Sequence, residues 1–400
     1  MNNPFTRRDF FKGAVIGAGI TALGVQNVAA AVKPIAGFDE TDAGKLKDGA
    51  WKSVSDRKIK VGIAGYGLCK FGAAFGYQNH PNVEVVAATD LDPARCVALA
   101  KQVGAKKTYA SCEEMFAKDK EIEAVYIATD APSHARLCIA GLKRGLHMCS
   151  AVPAVFGIEQ LELADELFET VKKSGLVYAM NETTAFRPQC HAMREIYKAG
   201  GFGKLIYSEG EYYHYMPRHI GSYKNWRLGF PPQYYPTHSN GFYTCVTGGS
   251  FTEVSCMGMP SVLHDYQPAN NQFKNPYATE VALFRTSEGG MSRMAVSWDM
   301  PGAHGEKGRI YGQKGSYEAR YSGQADISKV VQAKPKLPPG MPAGSHGGSH
   351  GYLTDNFITS ILLKRQPLCN VACALNTTVS GIYAHMSAMK DGETLKIPQY

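Results

Sequence analysis

Hydrophobic positions in the first half of the chain alternate between two periods. Apolar runs rich in β-branched residues predict strands over residues 58–64, 83–89, 123–129, 146–149 and 176–180. Between them, apolar residues at helical spacing predict helices up to Phe75 and over 93–103, 135–144 and 158–173. Strands that alternate with helices over short turns are typical of a parallel sheet covered on both faces. The pattern predicts a Rossmann domain over residues 58–180.

The pattern changes after residue 180. Longer alternating segments predict strands over 204–214, 278–286, 291–299, 308–311 and 316–320. Two apolar patterns with the helical period, around Phe357 and Ile382, close the chain. We therefore predict an α/β protein with an N-terminal Rossmann domain and a C-terminal α+β domain over 181–400. That second domain has an open, mostly antiparallel sheet for substrate binding and oligomerisation, and its last helices pack back at the domain junction.

The N-terminus has the three parts of a twin-arginine export signal. Arg7 and Arg8 precede an uncharged stretch over 13–25, and residues 29–31 are three small alanines. We expect a signal peptide over 1–31, a polar linker or arm over 32–57, and a periplasmic protein carried by the twin-arginine export machinery. The apolar run is too short and glycine-rich for a membrane span, so no stable membrane insertion is expected after processing.

Composition excludes several classes of protein. With 44% hydrophobic and 20% charged residues among 400, the chain is neither disordered nor fibrous. Its net charge of +8 is dispersed, so no nucleic-acid partner is expected. The ten cysteines are scattered, and we predict buried thiols for those near apolar runs: Cys69, Cys96, Cys138, Cys149 and Cys245. Cys369 and Cys373 lack a second ligand pair, so we expect no metal.

A dinucleotide motif follows the first strand. Gly65, Tyr66 and Gly67 lie where glycine lets the backbone approach a pyrophosphate at the start of a helix, although Lys70 replaces the third glycine of the usual motif. Asp90 ends the second strand, where a carboxylate accepts the ribose hydroxyls. Because a carboxylate there repels a 2′-phosphate, these residues predict NAD rather than NADP.

Several segments together resemble the glucose-fructose oxidoreductase/inositol dehydrogenase/MocA family. They are Val61-Gly62-Ile63-Ala64-Gly65-Tyr66-Gly67, Ala128-Thr129 with His134, Gly145-Leu146-His147-Met148, and Gly308-Arg309-Ile310-Tyr311-Gly312 with Gly315-Ser316. The resemblance covers residues 58–400 and implies an NAD(P)-dependent oxidoreductase of a sugar or sugar derivative. It places Thr129, His134 and Asn181 near the cofactor. For Asn181 and the residues after it, a helix cap is an alternative interpretation.

One segment departs from the family's dehydrogenases. Where they have Glu-Lys-Pro, this chain has Ala151-Val152-Pro153, and a valine cannot move a proton. The family's NAD-dependent α-N-acetylgalactosaminidases also place Val before that Pro, so the chain resembles that branch. The branch also has a tyrosine where this chain has Ala185-Phe186. This difference weakens the inference that this chain takes the same substrate as that branch.

The resemblance also implies sugar-binding residues. Asn225-Trp226-Arg227 and Tyr234-Tyr235-Pro236-Thr237-His238 match segments whose Arg, Tyr and His face the sugar in that branch. We predict acid–base roles for His238 and Tyr235 and orienting roles for Arg227 and His214, with the polar cluster of residues 234–240 in one loop. Core packing is the alternative for Tyr235 taken alone, and a surface or core position is the alternative for the strand end that carries His214. The glycine-rich segment 346–351 resembles one that covers the sugar, and a mobile loop is the alternative.

Export constrains the reaction, because the periplasm has no recycling pool of NAD. The cofactor is therefore expected to be tightly bound and returned to its starting oxidation state in every cycle. A sugar oxidoreductase or epimerase satisfies this. So does an NAD-dependent glycoside hydrolase that works by transient C3 oxidation, elimination and water addition. A non-catalytic carbohydrate-binding protein is a third hypothesis. The expected partner is a small-molecule carbohydrate, and a homo-oligomer is expected through the open sheet.

Overall fold

The structure is a computed structural model that describes residues 50–400, and it contains two β-sheets. The export signal predicted over 1–31 and most of the arm predicted over 32–57 lie outside the described residues. The last strand of the first sheet ends at Met180 and the first strand of the second sheet begins at Leu205. The division into domains at residue 180 stays a prediction.

The first sheet has six strands in the order β3-β2-β1-β4-β5-β6. They are β1 (Ile59–Ala64), β2 (Val83–Thr89), β3 (Lys107–Tyr109), β4 (Ala124–Ile127), β5 (His147–Ser150) and β6 (Tyr178–Met180). All neighbours pair in parallel, which confirms the predicted Rossmann-type sheet. Helices cover it: α1 (Phe71–Ala74), α2 (Pro93–Val103), α3 (Cys112–Lys118), α4 (His134–Lys143) and α5 (Leu161–Ser174). The sequence pattern missed β3 and α3, which are too short to show a period.

Local sequence explains where α2 begins and ends. The Asp92 side chain accepts hydrogen bonds from the backbone N–H groups of Ala94 and Arg95, and Pro93 occupies the first helical position. Gly104 ends the helix with a φ of 72°, a left-handed conformation that glycine adopts without strain. Capping at both ends fixes α2 directly after the strand that carries Asp90.

The second sheet has eight strands in the order β13-β12-β11-β7-β10-β9-β8-β14. They are β7 (Leu205–His214), β8 (Phe251–Pro260), β9 (Tyr277–Thr286), β10 (Met291–Ser297), β11 (His304–Gly312), β12 (Gly315–Tyr317), β13 (Tyr321–Gly323) and β14 (Leu395–Lys396). Only β7 and β10 pair in parallel, which confirms the mostly antiparallel prediction. The sequence pattern missed β8.

Helices cover one face of the second sheet. They are α6 (Pro188–Lys198), α7 (Thr237–Thr247) and α9 (Val371–Ala388). A further helix, α8 (His350–Leu363), directly precedes α9 in the chain. α9 also contacts α5 and β6 of the first sheet. On the opposite face, Met257, Val281 and Leu283 are exposed. Among the helices of residues 50–400, none is both long enough and apolar enough to cross a membrane.

The prediction that residues 234–240 form one loop is wrong, because α7 begins at Thr237. Every residue of α7 is buried, so the helix has no solvent-facing side and no amphipathic period to reveal it. Most of its polar side chains have partners: for example, Asn240 Nδ2 donates to Thr377 O at 3.1 Å and to Ser380 Oγ at 3.0 Å. α7 packs closely against the second sheet at Gly210 of β7, where a Cβ would overlap the Ser239 carbonyl.

Candidate active site

A cleft of about 890 Å³ follows the carboxyl ends of the parallel strands. Gly65 follows β1, Asp90 follows β2, Thr129 lies after β4, and Val152 lies after β5, and all four line the cleft. This edge of an open parallel sheet is where such folds bind nucleotides. The dinucleotide site predicted from sequence falls on this surface.

Gly65 and Asp90 shape the floor of the cleft. Gly65 has a φ of 100°, and a Cβ there would overlap the Ala128 carbonyl, so only glycine fits. The Tyr66 backbone N–H donates to Asp90 Oδ2 at 2.6 Å, and the Asp92 N–H donates to Oδ1 at 2.9 Å. These bonds fix the carboxylate and leave lone pairs for ribose hydroxyls. Tyr66 contributes its backbone rather than its ring.

The helix after the motif is shorter than the sequence pattern suggests. α1 has four residues, and Lys70, in the place of the third glycine, has a φ of 50°. One helical turn supplies little dipole for a pyrophosphate. Cys69, predicted to be a buried thiol, is instead exposed in this cleft, whereas the other four cysteines of that prediction are buried.

Thr129 and His134 differ in what they offer a ligand. Thr129 Oγ1 is buried and has no hydrogen-bond partner within residues 50–400, so it is available to a cofactor. His134 is buried, and its Nδ1 lies 2.9 Å from Pro153 O, while its Nε2 lies 3.4 Å from Thr129 O. Burial lowers the pKa of His134, so the neutral ring holds the Val152–Pro153 segment.

An inner pocket of about 110 Å³ adjoins the cleft at Val152, Arg227 and Tyr235, which line both spaces. The four predicted catalytic residues, His238, Tyr235, Arg227 and His214, all line it, and so does Asn181. Asn181, predicted to bind the cofactor, therefore lies at the inner end. Two buried donors of the lining, Asn181 Nδ2 and Trp298 Nε1, have no partner among the described residues. No lysine is among the described residues that line this pocket.

His238 is paired with a buried carboxylate. Its Nδ1 lies 3.0 Å from Glu182 Oε1 and 4.0 Å from Glu306 Oε2. Burial alone lowers the pKa of His238, but attraction by Glu182 and then Glu306 outweighs it, and the pKa is raised above 6.5. Since Nδ1 binds Glu182, Nε2 is the nitrogen left for a ligand.

Tyr235 and Arg227 form one side of the pocket. Burial raises the pKa of Tyr235, and Arg227 only partly opposes it, so the hydroxyl keeps its proton. The Arg227 guanidinium lies 4.1 Å from the Trp226 ring centroid and 5.6 Å from that of Tyr235. Among residues 50–400 no carboxylate pairs with this guanidinium, so its donors are available to a substrate.

His214 lies at the end of β7, in the same wall. Its Nδ1 is 3.4 Å from Tyr212 Oη, and Tyr212 in turn lies edge-on to His238 at 4.8 Å between ring centroids. Burial and repulsion from the neighbouring His304 lower the pKa of His214. A neutral ring suits its predicted orienting role.

Sequence reasoning did not single out two carboxylates of the site. Glu306, in β11, accepts from Arg187 Nε at 2.5 Å and Nη2 at 2.6 Å, and from Thr184 Oγ1 at 3.0 Å. Glu182 accepts from the Thr184 N–H, so part of the segment after β6 is the helix cap considered as an alternative. Only the fold brings these carboxylates to His238, because Glu306 is distant in sequence.

His346 also lies in the pocket wall, whereas the sequence resemblance indicates only that it belongs to a covering segment or a mobile loop. His350 Nδ1 lies 3.2 Å from Ala74 O and must donate to that carbonyl, which leaves His350 Nε2 as an acceptor for His346 Nδ1 at 3.0 Å. Ser345 Oγ, 2.9 Å from the same Nδ1, is a second acceptor. Burial and repulsion from His238 lower the pKa of His346 to about 3. The neutral ring therefore keeps Nε2 without a proton. Lys334 Nζ, 2.7 Å from Gly348 O, anchors the segment.

The fold and the site together define a class. A parallel sheet carries a cleft at the carboxyl ends of its strands, and a small, largely apolar pocket with a few polar side chains adjoins that cleft. This is the architecture of a Rossmann domain joined to an open-sheet domain.

Residues 59–182 match the family model GFO_IDH_MocA, described as "Oxidoreductase family, NAD-binding Rossmann fold". The resemblance found in the sequence motifs is thus confirmed for this part of the chain. Glycosyl hydrolase family 109 protein 1 of Bacteroides fragilis is 28% identical over 202 residues, which are 46% of this chain and 42% of that protein. The 1,5-anhydro-D-fructose reductase of Ensifer adhaerens is 27% identical over 148 residues, 37% of this chain and 42% of that protein.

Both matches cover less than half of the relative's own length. Among solved structures, levoglucosan dehydrogenase in complex with NADH and levoglucosan superposes with a TM-score of 0.70. That match covers 86% of this chain and 100% of the other at 15% identity, and it shows the shared fold.

Proposed function

We propose that the protein is an NAD-dependent oxidoreductase of a sugar or sugar derivative that keeps and recycles its cofactor. One observation carries the proposal: the inner pocket holds two unpartnered buried N–H donors and the His238–Glu182 pair, and it adjoins the dinucleotide cleft. Buried donors without partners are costly, and sugar hydroxyls satisfy them. The levoglucosan bound by a structural neighbour and the 1,5-anhydro-D-fructose reductase among the relatives support the same substrate class.

The cleft fits a dinucleotide by its own features. Gly65 has no Cβ and therefore allows close packing of the backbone at the floor of the cleft. Asp90 presents a fixed carboxylate, and Thr129 has a hydroxyl without a hydrogen-bond partner among the described residues. A bound NAD supplies a hydride acceptor that takes a hydride from a ring carbon and returns it later. Asp90 favours NAD over NADP, because its charge repels a 2′-phosphate.

The chain's own residues orient the sugar and move its protons. Arg227 binds hydroxyl or acyl oxygens with two parallel donors, and Asn181 and Trp298 donate single hydrogen bonds. His238 Nε2 exchanges the proton of the hydroxyl on the carbon that loses hydride, and Glu182 stabilises the charged ring. Tyr235 forms a hydrogen bond with a neighbouring sugar hydroxyl. His214 positions the Tyr212 side chain in the pocket wall through its contact with Tyr212 Oη.

A second candidate is an NAD-dependent glycoside hydrolase that uses transient C3 oxidation, elimination and water addition. Val152 favours it, because this apolar side chain lines the junction of cleft and pocket where a lysine-assisted dehydrogenase needs a cation. His346 adds a hydrogen-bond acceptor for a second sugar hydroxyl, since its Nε2 carries no proton and its lowered pKa keeps the ring neutral. The family-109 relatives point in the same direction.

Two further features of the chain belong to the proposal. The arginine-pair signal of residues 1–31 supports export to the periplasm by the twin-arginine machinery and, through the absence of an NAD pool there, tight cofactor binding. The exposed face of the second sheet, with Met257, Val281 and Leu283, supports a homo-oligomer. Sedimentation of the purified chain tests the oligomer.

One sample tests both candidates. The purified chain is denatured, and the supernatant is assayed for nicotinamide. The intact protein is then mixed with free sugars and glycosides in deuterated water while absorbance at ~340 nm and product NMR are followed. An oxidoreductase reduces its bound cofactor with one sugar and reoxidises it with another, whereas a hydrolase exchanges the C2 hydrogen and releases an aglycone. Without released nicotinamide or any absorbance change, both candidates fail and a non-catalytic binding protein remains.

A further inference from the structure

Three buried thiols meet behind the active site. Cys245 lies on α7, Cys373 lies in the first turn of α9, and Cys369 lies just before that helix. Their three Sγ atoms lie within 4.8 Å of one another, and those of Cys245 and Cys373 are 4.0 Å apart. The sequence showed only the close pair, because Cys245 is 128 residues away from Cys373 in the chain.

The spacing suits a shared metal ion. A thiolate lies about 2.3 Å from a bound d¹⁰ ion, so three sulfurs in a plane around it are about 4.0 Å apart. A disulfide instead needs a sulfur–sulfur distance of about 2.05 Å. The separation of Cys245 and Cys373 therefore matches two corners of a trigonal site.

A buried cation lies beside the cluster. Arg194 is only 2% exposed, and its Nη1 donates to Cys245 O at 3.0 Å and to Ala185 O at 2.8 Å. Within residues 50–400 no carboxylate pairs with it. Thiolates in the cluster would place negative charge near this buried cation, whose own contact is with the Cys245 backbone carbonyl rather than with a thiol.

The start of α9 also stabilises negative charge on the cysteine cluster. The helix has 18 residues, and Asn370 Oδ1 accepts from the Cys373 backbone N–H at 3.1 Å. Thiolates are stabilised at helix N-termini.

We propose that Cys245, Cys369 and Cys373 form a closed three-thiolate site for one Cu(I) ion. Thiolates select soft ions, and among the described residues no fourth His, Cys, Asp or Glu joins the group. Burial keeps water from acting as a fourth ligand, whereas structural zinc takes four ligands. Each coordinating thiol releases its proton, and copper enters as Cu(I), so the step needs no oxidant or reductant.

The site connects parts of the molecule that carry the pocket. Cys245 is on the helix of His238, and Cys369 O accepts from the Met180 N–H at 3.0 Å, directly before Asn181. A bound ion links α7, α9 and the end of β6. Its expected effect is therefore on stability rather than on the chemistry.

The test uses the whole purified chain under anaerobic, reducing conditions. Cu(I) is delivered from a weak chelator, and copper per chain, the near-ultraviolet thiolate-to-copper band and X-ray absorption are recorded. The expected result is one copper per chain with three sulfur ligands at about 2.3 Å and a higher Tm. Cys373→Ser and Cys369→Ser each weaken binding at least ~100-fold, while Cys256→Ser, which removes a buried thiol outside the cluster, leaves it unchanged.

Several results overturn the proposal. They are substoichiometric copper, a band that survives Cys373→Ser, a Cys245–Cys373 disulfide in the anaerobic chain, or zinc bound with four ligands. If the serine variants fail to fold, the X-ray absorption spectrum of the unmodified chain decides alone, because it reports the number of sulfur ligands directly.

Discussion

His238 Nδ1 donates a hydrogen bond to Glu182 Oε1 over 3.0 Å, and both side chains are buried where the inner pocket meets the helix α7. Glu306, 4.0 Å from the same nitrogen, adds a second negative charge. This arrangement fixes the ring, leaves Nε2 for the substrate and stabilises the protonated form. The acid–base role proposed for His238 rests on it.

Replacing Glu182 with glutamine tests that role. Glutamine keeps a hydrogen-bond acceptor but removes the charge that raises the pKa of His238. We expect the His238 limb of the pH–kcat/KM profile to move to lower pH by about 1–3 units, as an opposite charge at this distance shifts a pKa. The rate at the optimum falls by about 10²-fold or more. Steady-state kinetics from pH 5 to 9 measure both effects.

The matched control for this experiment is Glu288→Gln, which changes a glutamate outside the pocket lining that accepts from Tyr197 Oη and Tyr243 Oη rather than from His238. An unchanged profile in Glu182→Gln, or an equal shift in the control, contradicts the role of the pair.

The same pair makes stability depend on pH. The pKa of Glu182 is lowered from 4.5: its burial opposes this, but His238 attracts the charged form. This contribution is present above pH 4.5 and is lost as pH falls through the folded-state pKa. The pKa of His238 is raised from 6.5, so its contribution is present below 6.5 and is lost as pH rises through the folded-state pKa.

We therefore expect the stabilisation by the pair to be largest between pH 4.5 and 6.5. Urea unfolding of the wild type, Glu182→Gln, His238→Gln and the double variant gives the coupling energy at each pH. A coupling energy that increases steadily from pH 6 to pH 9 contradicts the assignment.

The sequence predicts the framework better than the pocket. Buried parallel strands are continuous β-branched runs, so the first sheet and the positions of Gly65 and Asp90 follow from local pattern. The helix α7 is not predicted from the sequence, because Thr, Ser, Asn and Gly are weak helix formers and because burial on all sides removes the amphipathic pattern. The pairing of His238 with Glu182 and Glu306 is a contact across the fold that no local spacing encodes.

Arg227 is expected to bind substrate rather than cofactor. Its guanidinium stacks on Trp226 and has no carboxylate partner among the described residues. Arg227→Met should raise KM for the sugar by about 10–100-fold through loss of charged hydrogen bonds, with an unchanged Kd for NAD. Arg227→Lys should recover only part of the loss, because it lacks the two parallel donors. Exposed Arg218→Met is the control, and a weaker NAD affinity with normal sugar KM refutes the assignment.

Asp90 is expected to set cofactor choice. Asp90→Asn removes the charge but keeps the shape, so affinity for NAD should fall about 10-fold and discrimination against NADP should shrink. Calorimetry on chain stripped of cofactor measures both constants. Glu84→Gln, an exposed change on the same strand β2, should alter neither. Equal loss of affinity for NAD and NADP would show that Asp90 only supports the fold.

His350 is expected to position His346. His350→Phe combined with Ser345→Ala keeps a ring stacked on Phe75, whose centroid is 4.1 Å away, but removes both groups within hydrogen-bond distance of His346 Nδ1, which are His350 Nε2 and Ser345 Oγ. We expect kcat to fall about 10-fold with little change in KM, because the tautomer of His346 is no longer fixed. In NMR titrations of the wild type, the His346 ring should not take up a proton at any pH well above 3, in keeping with its lowered pKa. A His346 titration near pH 6.5 contradicts the prediction.

The most direct measurement of the central proposal is a single-turnover experiment on the purified protein with its own bound cofactor. Sugars and glycosides are mixed with the protein in a stopped-flow spectrometer, and absorbance near ~340 nm reports the bound nicotinamide. The account predicts a rise and fall of absorbance within one catalytic cycle, with substrate-bound deuterium at the oxidised carbon slowing the rise and His238→Gln abolishing it. A cofactor-containing protein whose absorbance never responds to any sugar, or responds equally in His238→Gln, contradicts it.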